Sequence, residues 1–205
     1  MSTNGVNASV HLASPSEGTA AESSGVLAAL GRRWPTALAL AVSALTFGGA
    51  ESEETVLGLA EALLILPLLY LITASVQRRG LTWVVFFACI GSLIALRGQD
   101  RVEPSVVLLA VALAALLWGT ARGQHRSGVF VAQVIGMVAF GALAMVGMAI
   151  DPDLSRYVVA ASWFAHGVWD LVHLWADKVV ARSFAKWCGV VDVLIAAELV
   201  LLPLL

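Results

Sequence analysis

Seven hydrophobic runs follow one another along this chain, separated by short polar loops, and no other feature restricts its fold as strongly. The runs cover about 34–50, 55–76, 81–96, 104–121, 128–150, 155–176 and 186–205. Roughly 17–25 apolar residues cross a bilayer as one α-helix, whose backbone polar groups are all satisfied internally. We therefore predict an all-α, polytopic transmembrane helical bundle with seven spans. Six spans is the alternative, because the first and third runs are short.

The composition agrees with a membrane-embedded chain. Of the 205 residues, 60% are hydrophobic and 13% are charged, whereas globular proteins carry about 25% charged residues. The net charge of -2 gives no reason to expect a nucleic-acid partner. The expected partner is the lipid bilayer, with a lipid or another amphiphilic small molecule as a candidate ligand. The basic residues are ten arginines and two lysines, beside a heavy use of Ala and Gly; this usage is typical of bacteria and predicts a multi-pass protein of a bacterial inner membrane.

The N-terminal segment has a different composition from the runs. Residues 1–30 consist largely of Ser, Ala, Gly, Thr and Asn. They lack the basic start and apolar core of a secretory signal peptide. We therefore predict a disordered tail at 1–30 and a transmembrane helical domain at 31–205.

Basic residues alternate between rich and poor loops. If all seven runs span the membrane, nine basic residues lie on one side and three on the other. Basic loops face the cytoplasm in most membrane proteins, so the N-terminus is expected in the cytoplasm. The richer side holds Arg32, Arg33, Arg78, Arg79, Arg122, Arg126, Lys178, Arg182 and Lys186.

Ionisable residues inside the spans are concentrated on the sixth run. His166, Asp170 and His173, followed by Asp177, are spaced four, three and four residues apart, which places them on one stripe of a helix. A charged group at the bilayer centre costs about 2.5–3.5 kcal/mol or more, so such groups must pair, bind a metal or line water. The ionisable residues within the predicted spans are Glu61, His166, Asp170, His173, Asp192 and Glu198.

Asp170 and Asp192 are expected to face each other across the sixth and seventh spans. Each lies six residues from the predicted cytoplasmic end of its run, a depth of about 9 Å at 1.5 Å per residue. His173 lies three residues from Asp170 toward that end, so we expect it to meet both carboxylates. His166, about a turn deeper, is expected to support Asp170 from above.

Three hypotheses explain this polar group. The first is a metal site formed by His166, Asp170, His173 and Asp192, whose imidazole and carboxylate ligands suit a divalent ion such as zinc. Because residues seven apart on a helix cannot easily reach one ion, His173, Asp170 and Asp192 form the more feasible subset. The second is a proton or ion path along the helix face. The third is a set of structural Asp–His pairs between the two helices.

These hypotheses leave the class of function open. The first predicts a metal-dependent or acid–base enzyme acting on a lipid or other amphiphile, with a polar pocket near the cytoplasmic side. The alternatives are a proton- or ion-coupled transporter or channel and a non-catalytic membrane module. The candidate catalytic residues are Asp170, Asp192, His173 and Glu61.

Small residues recur along the fifth run, among them Gly136, Gly141 and Gly147. Such residues let membrane helices approach closely, so this face is predicted to pack against a neighbouring helix. Gln133 on the same run is expected to form an interhelical hydrogen bond.

Residues 162–197 resemble a group of small bacterial multi-span membrane proteins of unknown function. In that group a His-x-x-Trp-Asp-x-x-His-His helix precedes a helix with a Cys…Asp pattern. Here the first pattern matches from His166 to His173, Leu174 stands where the second tandem His would be, and Cys188 and Asp192 match the second pattern. The resemblance implies a membrane location and no activity. Looser similarities are to seven-span membrane zinc hydrolases and to membrane terpene cyclases, for which Glu61 and Asp192 would be the acid candidates.

Overall fold

The structure is a computed structural model that describes residues 31, 33–44, 52–99 and 101–202. The predicted disordered tail at 1–30 therefore lies outside the described residues. The chain divides into the units Met1–Trp34 and Pro35–Leu205, and all features below belong to the second. In this unit residues 35–44 are helical and form α1.

Seven further helices follow, and the described residues contain no strand. They are α2 (Glu53–Leu63), α3 (Ile65–Val76), α4 (Thr82–Arg97), α5 (Pro104–Ala121), α6 (Gly128–Ala149), α7 (Pro152–Ala176) and α8 (Arg182–Leu201). Short 3-10 turns at Arg79–Leu81 and Gln124–Arg126 precede α4 and α6. The predicted all-α helical bundle is confirmed.

The second hydrophobic run forms two helices because it contains a proline. Pro67 has no N–H to donate to the carbonyl of Leu63, and its ring crowds that carbonyl. The regular helix accordingly breaks at Leu64, between α2 and α3. The two helices remain continuous enough to count as one candidate span, Glu53–Val76.

Four segments of the described chain are long and apolar enough to cross a membrane: Glu53–Val76, Arg79–Arg97, Pro104–Ala121 and Gly128–Ala149. The chain is therefore a membrane protein. Helices α7 and α8 have 25 and 20 residues, long enough to span, but polar residues in their middle lower their hydropathy. The count of seven spans and the cytoplasmic N-terminus stay predictions.

Helix α3 lies at the centre of the bundle. It contacts α4, α5 and α6, and every residue from Ile65 to Leu71 is buried. Its sequence is apolar on every face, as expected of a helix surrounded by others. Helix α7 contacts α2, α6 and α8, which places its polar stripe inside the protein.

The loops α3–α4, α5–α6 and α7–α8 meet at one end of the bundle. Nη2 of Arg79 lies 3.1 Å from Oδ1 of Asp177, and the side-chain amide of Gln124 donates to the carbonyl of Ser75 at 2.7 Å. These are the loops that the charge pattern assigns to the basic side, and we call this the basic end. At the opposite end Arg97 pairs with Glu61 at 2.7 Å.

The predicted packing role of the small residues on α6 is confirmed at two positions. A Cβ at Gly147 would lie 2.8 Å from the side chain of Val159, and one at Gly136 would lie 3.0 Å from the ring of Trp169. Both neighbours belong to α7. The absence of a side chain thus allows α6 to pack closely against the helix that carries the polar stripe.

Candidate metal centre

Two glycines bring α7 and α8 into close contact. A Cβ at Gly167 would lie 3.3 Å from Cβ of Asp192, and a Cβ at Gly189 would lie 3.3 Å from Cβ of Asp170. Each glycine thus faces the aspartate of the other helix. Larger residues at either position would hold the helices apart and separate the two carboxylates.

The two helices carry the same short pattern at this contact. His166-Gly167-Val168-Trp169-Asp170 on α7 corresponds to Cys188-Gly189-Val190-Val191-Asp192 on α8. Because the helices are antiparallel neighbours, the reciprocal glycine–aspartate contacts relate the two segments by an approximate two-fold axis. His166 and Cys188 occupy equivalent positions, each one helical turn before an aspartate.

The first and last residues of both patterns form one cluster, which we call the α7–α8 centre: His166, Asp170, Cys188 and Asp192. One potential ligand atom from each lies within 4.8 Å of all the others. The Nδ1–H of His166 donates to Oδ2 of Asp192 at 2.8 Å and lies 3.8 Å from Oδ2 of Asp170. The thiol of Cys188 donates to Oδ1 of Asp192 at 3.8 Å.

The centre is closed to solvent. His166, Asp170 and Asp192 have exposures of 0%, and that of Cys188 is 1%. The hydroxyl of Tyr70 on α3 donates to Oδ1 of Asp170. Aromatic rings form the walls, with Tyr70 and Phe140 packed edge-on against the imidazole of His166 at centroid distances of 5.7 and 5.1 Å.

Two polar atoms of the centre have no hydrogen-bond partner among the described residues: Oδ2 of Asp170 and Nε2 of His166. Buried polar groups are normally hydrogen-bonded, and an unpaired one costs about 1–3 kcal/mol. Two neighbouring carboxylates inside an apolar bundle also repel each other unless protons or a cation neutralise them. The side chains of the centre therefore neither pair all of its polar atoms nor offset the repulsion between its two carboxylates.

The structure confirms one predicted contact and corrects another. Asp170 and Asp192 meet across α7 and α8, as predicted. The expectation that His173 meets both carboxylates is wrong, because His166 occupies that place. The Nδ1–H of His173 donates to the carbonyl of Trp169 at 2.9 Å, and its Nε2 accepts from Gln133 at 3.1 Å. Gln133 thus forms the interhelical hydrogen bond expected of it.

His166 takes the place expected of His173 because the register of α8 against α7 differs from the predicted one. Helix α8 begins at Arg182, four residues before the predicted start of the seventh run. Four residues correspond to about 6 Å along a helix. Asp192 therefore lies about one turn deeper than expected, level with Gly167, where it meets His166.

Glu61 does not join the centre. It pairs through Oε2 with Nε and Nη2 of Arg97, both at 2.7 Å, and Arg97 also donates to the carbonyl of Gly58 at 3.1 Å. Glu61 thus ties α2 to the C-terminal end of α4, at the end of the bundle opposite the basic end.

Two members of the site were not identified from the sequence. Cys188 could have been found from the repeated pattern, since it precedes Asp192 by four residues as His166 precedes Asp170. Tyr70 carries no such signal, because its contact with Asp170 joins positions 100 residues apart. Only the folded structure, in which the side chain of Tyr70 on α3 reaches α7, reveals it.

Comparisons with protein-family models, with curated protein sequences and with solved structures find no match. The fold and the centre define the class of protein by themselves: a helical bundle with four helices long and apolar enough to cross a membrane and a buried His/Asp/Cys cluster. The resemblance to small bacterial multi-span proteins stays a prediction.

Proposed function

We propose that the protein is a metal-binding membrane protein whose α7–α8 centre holds one divalent transition-metal ion, with zinc as the best fit. The observation that carries the proposal is the convergence of four different ligand side chains, all buried, within 4.8 Å. One imidazole, one thiol and two carboxylates are ligands that zinc accepts in proteins. The ligand set replaces the predicted His173 with Cys188 and keeps His166, Asp170 and Asp192.

The distances support a tetrahedral ion. Zinc ligands at about 2.0–2.3 Å from the ion are roughly 3.3–3.8 Å from one another. With its ring proton on Nε2, Nδ1 of His166 can act as a ligand atom; it lies 2.8 Å from Oδ2 of Asp192 and 3.8 Å from Oδ2 of Asp170. Sγ of Cys188 lies 3.8 Å from the other oxygen of Asp192, Oδ1. Side-chain shifts of about 1 Å would therefore close the coordination sphere.

Charge balance also supports a cation. Two carboxylates and a thiolate would carry three negative charges, of which a divalent ion offsets two, and the Tyr70 hydroxyl stabilises the carboxylate of Asp170. The hydrogen bond from Tyr70 occupies Oδ1, which leaves Oδ2 available to a metal. Outer hydrogen bonds of this kind orient metal ligands in proteins.

The closed geometry favours a structural metal over a catalytic one. Structural zinc has four protein ligands, whereas catalytic zinc keeps an open position for water or substrate. Five surface cavities of the described chain have volumes of about 270–450 Å³, and none of these five is lined by a residue of the α7–α8 centre. We infer that the ion holds α7 against α8; catalysis on an amphiphile would need an opening into the centre.

Metal analysis of the purified protein tests this proposal. We expect about one zinc per chain by elemental mass spectrometry, and loss of the metal in Asp192→Asn, because that substitution removes a direct ligand. Asp177→Asn is the matched control: Asp177 is exposed and paired with Arg79 outside the centre, so its metal content should equal the wild type's. An Asp192→Asn variant that retains a full equivalent of metal would refute the proposal.

A further inference from the structure

We infer that Cys188 sets the metal preference of the α7–α8 centre, making it selective for thiophilic ions such as zinc, cobalt or cadmium over manganese and magnesium. The inference rests on the proposed metal-binding function and names the class of ion that the centre takes. It follows from the place of Cys188 in the repeated pattern.

The approximate two-fold relation pairs Cys188 with His166, and these are the only two equivalent ligands that differ in type. The aspartates at the last position of each pattern are identical, and the glycines at the second position contact the opposite aspartates at the same distance of 3.3 Å. Only the first position differs in ligand type, with an imidazole on α7 and a thiol on α8. The difference therefore lies at the position that supplies a ligand.

The ligand chemistry predicts what this difference does. Carboxylate and imidazole ligands accept manganese and iron as well as zinc, whereas thiolate ligands favour soft and borderline ions. A centre with histidine at both first positions would have two imidazoles and two carboxylates and would discriminate less. One sulfur ligand thus shifts the preference away from the harder ions.

The surroundings of Cys188 suit a ligand and not a surface thiol. Its side chain is 1% exposed, and its sulfur lies beside Oδ1 of Asp192. The chain has one other cysteine, Cys89, which lies on α4, is also buried and does not belong to the centre. Cys89 therefore provides a matched control for removing a buried thiol.

Cobalt titration of the purified protein in detergent tests the inference. Bound cobalt should show a near-ultraviolet thiolate-to-cobalt absorption band in the wild type and in Cys89→Ser. Cys188→Ser should lose the band, and its zinc affinity should fall by at least about 100-fold, beyond the range of about 10–100-fold seen for outer-shell changes. Its manganese affinity should change less, so the zinc-to-manganese ratio falls.

Cys188→His tests whether the changes in Cys188→Ser come from the missing sulfur ligand or from unfolding of the protein. It restores a fourth ligand without sulfur, so it should bind cobalt and zinc without the thiolate band. A wild-type protein that binds cobalt with no such band, or a Cys188→Ser variant with unchanged selectivity, would overturn the inference and leave the metal centre standing. A wild-type protein that binds neither ion would overturn the metal centre itself.

Discussion

The two histidines of α7 have different surroundings, although both lie on the predicted polar stripe. His166 is fully buried and donates to Asp192. His173 contacts Gln133 on α6 and packs against the ring of Tyr70 at a centroid distance of 4.8 Å. A difference of seven positions on one helix thus separates a candidate ligand from a residue that joins α7 to α6.

Substitution of the two histidines should have unequal effects on metal binding. His166→Ala removes a direct ligand, so we expect zinc affinity to fall by more than about 100-fold, beyond the usual outer-shell effect. His173→Ala loses hydrogen bonds outside the centre and should lower affinity by less than about 10-fold. Zinc competition with a chelating dye measures both. Equal losses in the two variants would contradict this assignment.

Close packing between α7 and α8 depends on the absence of a side chain at Gly167 and at Gly189. A Cβ at Gly167 or at Gly189 would already lie only 3.3 Å from its nearest neighbour, so a branched side chain at either position cannot fit without moving a helix. Overpacking of this kind typically costs about 1–3 kcal/mol. The same displacement would move Asp170 away from Asp192.

Gly189→Val should therefore lower both stability and metal content. We expect the Tm in detergent to fall by about 2–12 °C, from the cost of overpacking and the usual shift of about 2–4 °C per kcal/mol. Gly91→Val on α4 is the control, because a Cβ at Gly91 has no neighbour within 4 Å. An unchanged Tm in Gly189→Val would show that the glycine contact does not hold the helices together.

The helical bundle of the unit Pro35–Leu205 has a basic end and an acidic end. Three loops with Arg78, Arg79, Arg122, Arg126 and Lys178 meet at the first. Asp151 and Asp153 lie between α6 and α7, whose ends meet at the second through the hydrogen bond from Ser155 to the carbonyl of Gly147 at 2.5 Å. The positive-inside rule then predicts a cytoplasmic basic end.

Reporter fusions test this orientation. An enzyme active only in the cytoplasm should work when inserted after Gly123, in the α5–α6 loop at the basic end, and should be silent when fused after Leu205. The physical reason is the retention of arginine-rich loops on the cytoplasmic side. Activity at Leu205 with silence at Gly123 would reverse the orientation, and activity at both would contradict seven spans.

The helices themselves could be predicted because their signal is local. Apolar runs of spanning length, Pro104 at the start of α5 and the glycine-rich composition of α6 are visible without knowledge of any neighbour. The predicted and observed bounds of the third, fourth and fifth runs agree within one residue. The meeting of Asp170 with Asp192 also followed from sequence, because the two residues lie at similar distances from the loop that joins two adjacent antiparallel helices.

Only the tertiary structure decided which side chains complete the centre. The register of α8 against α7 depends on where α8 begins and on the reciprocal contacts of Gly167 and Gly189. A shift of one helical turn exchanges His173 for His166 beside Asp192, and hydrophobic periodicity does not determine such a shift. Tyr70 reaches Asp170 from a helix 100 residues away in sequence. The sequence by itself determined two neighbouring helices that carry polar residues, while side-chain packing between helices selected the members of the centre.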